Sequence, residues 1–210
     1  MAQYFEPRPS APSRQRSIEL TLPDVYLELT TDAGVFSADG VDKGTRYLLR
    51  DHPPFAGLGT SPQTILDVGC GYGPIALTAA KRLLRADVWG VDVNERALAL
   101  ARGNAKANSI DTARFVAPDD VPEDLRFDLI LSNPPIRIGK TKLRELLQLW
   151  LDRLSPEGRA WMVVQKHLGS DSLATWLTDN GWATSRLSSR SGFRILETLP
   201  REAPPTGSDQ

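Results

Sequence analysis

Ile65-Leu66-Asp67-Val68-Gly69-Cys70-Gly71-Tyr72-Gly73 opens as an apolar run around one acid and then places glycine at three alternate positions. The apolar run reads as a buried strand. The glycines after it let the backbone reverse sharply into a helix while approaching a ligand closely. Pro74 follows at a first helical position, where its missing N–H wastes no hydrogen bond.

Downstream, β and α signals alternate. Helix is expected over Pro74–Leu84, Asn94–Asn108 (with Asn94 as N-cap), Thr141–Leu154 and Ser170–Asp179, the last closed by Asn180-Gly181. Strands are expected over 65–68, 88–91, 114–116, 127–131 and 161–165. Two closing β runs, Trp182–Leu187 and Phe193–Leu199, are joined by Ser188 to Gly192 as a hairpin connection. Alternating units imply an α/β, Rossmann-like, mostly parallel sheet closed by an antiparallel hairpin. Upstream, Ile18 to Leu29 alternates like two short strands turning at Pro23-Asp24, and Arg46 to Arg50 reads as a short helix ended by His52-Pro53-Pro54. The expected organisation is a disordered basic arm over 1–16, an N-terminal β/helix extension over 17–60 covering the site, a catalytic domain over 61–200 and a disordered tail over 201–210.

The chain of 210 residues suffices for one such domain with short additions. No apolar stretch approaches the ~20 residues of a membrane span. Residues 1–17 carry proline and arginine without an apolar core, so they do not read as a secretory signal. The lone Cys70 excludes an internal disulfide framework and fits a reducing cytoplasm, and two histidines make a Cys/His zinc site an unsuitable reading. Neither a membrane nor a metal is expected as a partner. The formal net charge of -1 speaks against a protein that coats nucleic acid by bulk charge, while leaving room for local basic patches such as Arg137 to Arg144 or Arg186, Arg190 and Arg194.

In an open parallel sheet, ligands bind beyond the carboxyl ends of the strands. Gly69, Gly71 and Gly73 form a turn at such an end, and Asp92, followed by Val93, lies about 20 residues on, where an acid can accept ribose hydroxyls. The spacing speaks against a nicotinamide dinucleotide, since Pro74 stands where that fingerprint wants a glycine. Asp67, just ahead of the glycines, would repel a pyrophosphate and favour a cation. S-adenosylmethionine, with its ammonium and sulfonium, is such a cation. A further acidic position follows the next strand at Asp119 and Asp120, where a polar loop between strand and turn is the other reading.

The second informative segment is Leu131-Ser132-Asn133-Pro134-Pro135-Ile136, at the end of the apolar run 127–131. An exocyclic amine on a planar ring is a poor nucleophile because its lone pair is delocalised. Two fixed acceptors that hold both N–H groups favour the pyramidal nitrogen that attack requires, without a strong base. Asn133 offers a side-chain carbonyl, Pro134 a backbone carbonyl, and Pro135 stiffens the backbone between them and Ile136.

With Thr31-Asp32-Ala33-Gly34-Val35-Phe36-Ser37, Val41-Asp42-Lys43-Gly44-Thr45-Arg46 and the string from Ser132 to Lys140, these motifs resemble the small-domain family of S-adenosylmethionine-dependent methyltransferases. That family includes the small-subunit ribosomal RNA guanine-N2 enzymes, and the likeness runs from about Leu20 to Leu199. The resemblance implies a seven-stranded sheet, cofactor contacts from Asp67, Gly69, Gly71 and Asp92, a carboxylate for the adenine amine at Asp119 (preferred) or Asp120, and catalysis at Asn133. It implies RNA as partner, S-adenosylhomocysteine as product, and a cover over the cofactor from Phe36 and the Lys43-Gly44-Thr45 segment. Phe36 also admits a second reading, an apolar plug between the N-terminal strands and the sheet. Arg137 and Lys140 would hold phosphates of a flipped-out nucleotide, or else lie as ordinary solvated cations.

Two departures stand out. The best-known ribosomal enzymes carry a second, degenerate domain copy, so a homodimer is expected here. They also carry an aromatic after Asn-Pro-Pro, where this chain has Ile136. Three functions follow in order: guanine-N2 methylation of ribosomal RNA, methylation of a small-molecule amine or protein glutamine amide, and a non-catalytic cofactor-binding module.

Overall fold

A computed structural model describes residues 10–51 and 63–201. Its main sheet has seven strands in the order β5-β4-β3-β6-β7-β9-β8. They are β3 (Thr64–Val68), β4 (Asp87–Val91), β5 (Ala113–Val116), β6 (Phe127–Ser132), β7 (Leu154–Gln165), β8 (Trp182–Arg190) and β9 (Phe193–Arg201). The pairings from β5 through β7 are parallel, and β9 runs antiparallel between β7 and β8. The helices are α1 (Lys43–Asp51), α2 (Pro74–Arg82), α3 (Glu95–Ala107), α4 (Lys140–Leu151) and α5 (Ser170–Asp179). Before them stands a separate antiparallel pair, β1 (Arg16–Thr21) and β2 (Tyr26–Thr31). This is the expected fold: a Rossmann-like sheet with a closing hairpin and a small N-terminal extension.

Both faces of the sheet are covered, which is why its strands are apolar at successive positions rather than at alternate ones. Ile65, Leu129 and Leu131 point into a core shared with Leu48 and Leu49 of α1, Leu77 of α2 and Leu98 of α3. Leu66, Val68 and Ile130 point the other way, against Leu147 and Trp150 of α4 and Leu177 of α5.

The β1–β2 pair is attached to the main body by amide side chains. Thr30 donates its N–H to Asn104 Oδ1 at 2.7 Å and accepts from Asn104 Nδ2 at 2.9 Å. Asn108, one helical turn on, makes the same exchange with Glu28 at 3.1 and 2.8 Å. Two residues four apart on one helix face thus satisfy alternate backbone groups of β2, as a neighbouring strand would.

Several boundaries differ from expectation, and those with a clear physical cause are informative. The first helix begins at Lys43 rather than Arg46, because Asp42 caps it: its Oδ2 accepts from the N–H groups of Gly44 (2.7 Å) and Thr45 (3.2 Å). The helix α4 spans 140–151 rather than 141–154, and β7 already begins at Leu154. Pro156-Glu157-Gly158 lies within that strand as an irregularity, the pairing shifting register opposite Phe127 and Leu129. A side chain at Gly158 would collide with the Phe127 carbonyl, at 2.7 Å from an added Cβ. Lastly, the closing hairpin turns on two residues, Ser191 (φ 49°) and Gly192 (φ 82°), instead of five. That left-handed pair matches strand twist, so Ser188 to Arg190 are free to pair with β9.

Of the expected arm, residues 1–9 lie outside the described residues, as do His52-Pro53-Pro54 and residues 202–210 of the expected tail. Residues nearer β1 are bonded: Ser13 Oγ donates to Asp32 at 2.6 Å, Arg14 N–H also donates to Asp32, and Arg96 donates to the Ala11 carbonyl at 2.8 Å.

Candidate active site

Strand order reverses between β3 and β6, whose carboxyl ends Val68 and Ser132 are paired neighbours. Helices that leave two adjacent parallel strands toward opposite faces open a crevice there. The Ser132 hydroxyl donates to the Val68 carbonyl at 2.7 Å, fastening the two strand ends together. The glycine turn leaves from one and Asn133 from the other.

Gly69, Gly71 and Gly73 all have positive φ, at 73°, 57° and 96°. At Gly69 this conformation brings the turn against the other loop: an added Cβ would sit 3.9 Å from Cδ of Pro135. Asp67, fully buried at the end of β3, accepts the Ala76 N–H of α2 at 3.0 Å through Oδ2. Its Oδ1 is buried without a hydrogen-bond partner. Burial pushes the Asp67 carboxyl up to about 8, against the pull of the Ala76 N–H and with help from the charge of Asp92. Asp92, past the end of β4, accepts the N–H of Gly71 and of Asn94, each at 2.9 Å. Burial raises its carboxyl too, opposed by those N–H groups and that of Val93. Val93 itself is 43% exposed at the crevice edge. Cys70, in the turn, is buried, and its thiol is pushed far up by that burial and by the two aspartates, so it is a packed residue and no nucleophile.

The loop after β2 is tied over the carboxyl end of β4. Asn94 caps α3 with its Oδ1, to Arg96 N–H at 3.0 Å and Ala97 N–H at 3.2 Å. Its Nδ2 donates to the Gly34 carbonyl at 2.9 Å, and Arg96 donates to the Ala33 carbonyl at 2.7 Å. Val35 is the buried plug of this loop, and the neighbouring Phe36 is 45% exposed. Asp119 and Asp120 form a short 3-10 turn beyond β5, both exposed, with no geometric preference between them.

On the β6 side, Asn133 donates through Nδ2 to Asp42 Oδ2 at 2.8 Å and to Thr45 Oγ1 at 3.1 Å. Both amide hydrogens are therefore spent, and Oδ1 is left to accept. Pro135, at φ -76° and ψ 70°, makes an inverse γ-turn in which Ile136 N–H reaches the Pro134 carbonyl at 2.8 Å. That bond uses one lone pair of the Pro134 oxygen and holds its direction; the second lone pair stays open. Ile136 packs toward α4 and α5, lining a narrow cleft with Lys140, Leu143, Arg144 and Leu168. Arg137 and Lys140 are exposed.

A larger cleft, about 600 Å³, is lined by Leu151, Leu154, Pro156, Gly158 and Arg201 at the amino ends of β6 and β7, away from the glycine turn. Among the described residues no cluster of His, Cys, Asp and Glu could hold a metal, and no helix is long and apolar enough to cross a membrane.

Residues 26–197 match the family described as methyltransferase small domain. The chain belongs to this methyltransferase family. A relative in Bacillus subtilis (strain 168), called uncharacterized protein YbxB, is 33% identical over 199 residues, which are 92% of this chain and 96% of that one. The ribosomal RNA large subunit methyltransferase G of Shewanella baltica (strain OS195) is 31% identical over 172 residues; the match covers 78% of this chain and 43% of that protein. The fold is shared with the T. Thermophilus 16S rRNA N2 G1207 methyltransferase (RsmC), solved with AdoMet and guanosine, at a TM-score of 0.78 and 24% identity. That match covers 90% of this chain and 52% of the solved one, so the chain spans about half the length of these ribosomal RNA enzymes.

Sequence reading missed Asp42. Its signal was present as an N-cap residue just before Lys43-Gly44-Thr45, but its link to Asn133 spans 91 positions and leaves no local trace.

Proposed function

We propose that the chain methylates an exocyclic amine, guanine N2, of ribosomal RNA, with S-adenosylmethionine as donor. The observation that carries this reading is the orientation of the Asn133 amide. With both of its hydrogens bound by Asp42 and Thr45, Oδ1 presents an acceptor, and it pairs with the Pro134 carbonyl. Such a pair suits a group that brings two N–H donors, an amine or primary amide, and repels ring nitrogens or carbonyls.

The donor set fits the cofactor. The unpartnered, buried Oδ1 of Asp67 is an acceptor in want of a cation, and the left-handed glycines leave the crevice floor bare of side chains. Asp67 would face the ammonium through the bare glycine turn of Gly69, Gly71 and Gly73, Asp92 would take the ribose hydroxyls, and Asp119 or Asp120 the adenine amine. Val93, Phe36 and Thr45 would border it. When bound, S-adenosylmethionine supplies the methyl group and, as a sulfonium, its own leaving group. The protein's share is to hold the amine in line and to accept its N–H groups at Asn133 and Pro134 as charge develops on nitrogen. Pro135 and Ile136 would wall the acceptor, and Arg137 and Lys140 would take phosphates beside it.

The names of the relatives support RNA as acceptor. A specific observation keeps a second acceptor class in view: position 136, directly after Asn133-Pro134-Pro135, is the aliphatic Ile, which offers no ring for a base to stack on. A small-molecule amine or a protein glutamine amide would need none. The proposal includes a second copy of this chain as partner, and a monomeric mass by light scattering at micromolar concentration overturns that part.

Incubation with labelled S-adenosylmethionine and undermodified ribosomal RNA, subunits or ribosomes tests the reading. Label in RNA is expected. Label only in small molecules or protein moves the function to the second class, and tight binding with no transfer makes the chain a non-catalytic module. Asn133→Ala is expected to lower turnover by a hundredfold or more, on the order of one lost oxyanion-type partner, with cofactor affinity changed far less.

A further inference from the structure

We infer that Asp42 is a positioning residue for methyl transfer: it fixes which end of the Asn133 amide faces the acceptor. The inference rests on the role proposed above for Asn133. A terminal amide has two orientations of nearly equal shape, one presenting oxygen and one presenting NH2. Only the first can accept an N–H from the substrate. Asp42 Oδ2 lies 2.8 Å from Asn133 Nδ2, and a carboxylate can only accept, so the nitrogen faces Asp42 and the oxygen faces away. The bond is charge-assisted, stronger than a neutral one, and it polarises the amide so that Oδ1 becomes a better acceptor.

The rest of the α1 start is built around this contact. The same oxygen receives Gly44 N–H at 2.7 Å and Thr45 N–H at 3.2 Å, which holds the carboxylate at the mouth of the helix. Thr45 Oγ1 accepts the second hydrogen of Asn133 Nδ2 at 3.1 Å, so no donor of that amide is left over. Position 44 has to be glycine for the carboxylate to fit. An added Cβ would stand 2.9 Å from Asp42 Oδ2 and 2.8 Å from the Phe193 ring. A helix from the N-terminal extension therefore sets the chemistry of a loop 91 residues away.

Three variants separate positioning from folding. In Asp42→Ser the hydroxyl still caps α1 but is too short to hold Asn133 as well. In Asp42→Asn length and cap are kept and the charge is lost. Asn133→Ala removes the group acted upon. Turnover is expected to fall about tenfold or more in Asp42→Ser and less in Asp42→Asn, with cofactor dissociation constants within about threefold of wild type. The decisive arm is the double variant. If Asp42 acts through Asn133, adding Asp42→Ser to Asn133→Ala costs no further turnover; additive losses overturn the inference.

A second arm needs no turnover. In 15N-labelled protein the Asn133 side-chain NH2 pair should be shifted downfield and slow to exchange, and Asp42→Ser should move it while the Asn104 pair stays in place. An Asn133 pair unmoved by Asp42→Ser or by Asp42→Asn overturns the inference. Should wild type transfer no methyl group to any acceptor, the function proposed above falls, while this arm still judges the Asp42–Asn133 contact. Should Asp42→Ser fail to fold, both arms are read on Asp42→Asn.

Discussion

A carboxyl at the end of a buried strand has two ways to be tolerated: it can keep a proton or it can meet a cation. Asp67 is held in the first state, its carboxyl raised by burial from an ordinary 3.8 to about 8. Between those values the folded chain keeps a proton that the unfolded chain has lost. This group therefore subtracts stability as pH climbs through that window, and adds no further change above about 8. A ligand ammonium beside Oδ1 reverses the preference, because an opposite charge favours the ionised form. Cofactor binding at pH 7 is thus expected to release approximately one proton, and affinity should rise by up to about tenfold per pH unit below 8. Calorimetry in two buffers of different ionisation enthalpy measures the release directly. In Asp67→Asn the release should vanish, and a wild-type protein that binds the cofactor with no proton exchange would remove Asp67 from the ammonium.

Among the elements, α3 connects the extension to the sheet through two asparagines of unequal burial. Asn104 is 1% exposed and holds three backbone groups: Thr30 N–H, Thr30 carbonyl and Tyr72 carbonyl. Asn104→Ala leaves the buried Tyr72 carbonyl and the half-buried Thr30 groups without these partners and is expected to cost about 2–3 kcal/mol in urea unfolding. Asn108 is half-buried but its bonds to Glu28 are exposed, so water can replace them, and Asn108→Ala is expected to cost at most about 1 kcal/mol. Equal losses would show that the extension is not held by buried amide pairing. The same pair of elements shows what a sequence reveals. The start of α3 was legible because an N-cap acts within three residues, and Asn94 does cap it. The start of α1 and the tight β8–β9 turn were not: Asp42 stands four residues ahead of the helix expected from Arg46, and Ser188 to Arg190 look like linker until paired with β9. The site divides likewise. Asp67, the glycines and Asp92 declare themselves by local spacing, whereas the Asp42–Asn133 contact exists only once the fold has closed.

Over the whole molecule, 25 basic residues against 26 acidic ones leave no net field to draw in a polyanion. If the acceptor is RNA, as proposed, its affinity is expected from a few cations close to the acceptor loop, where Arg137 and Lys140 are exposed beside Ile136 and Arg144 lines the adjoining cleft. Counterion release makes this countable. Each cation that neutralises a phosphate of single-stranded RNA adds about 0.7 to the slope of log affinity against log salt. A slope near 2 is therefore expected for the wild type, far below that of a protein that wraps nucleic acid, and Lys140→Ala should lower it by about 0.7. Filter binding or fluorescence anisotropy across a salt series reads both numbers. Lys142, two residues on in α4, exposed and turned to roughly the opposite side of the helix, provides the contrast: its substitution by Ala should leave the slope unchanged if the contacts are local to the loop. A slope untouched by Lys140→Ala, or lowered equally by both, would place the phosphates elsewhere on the surface and separate RNA binding from the edge where Asn133 sits.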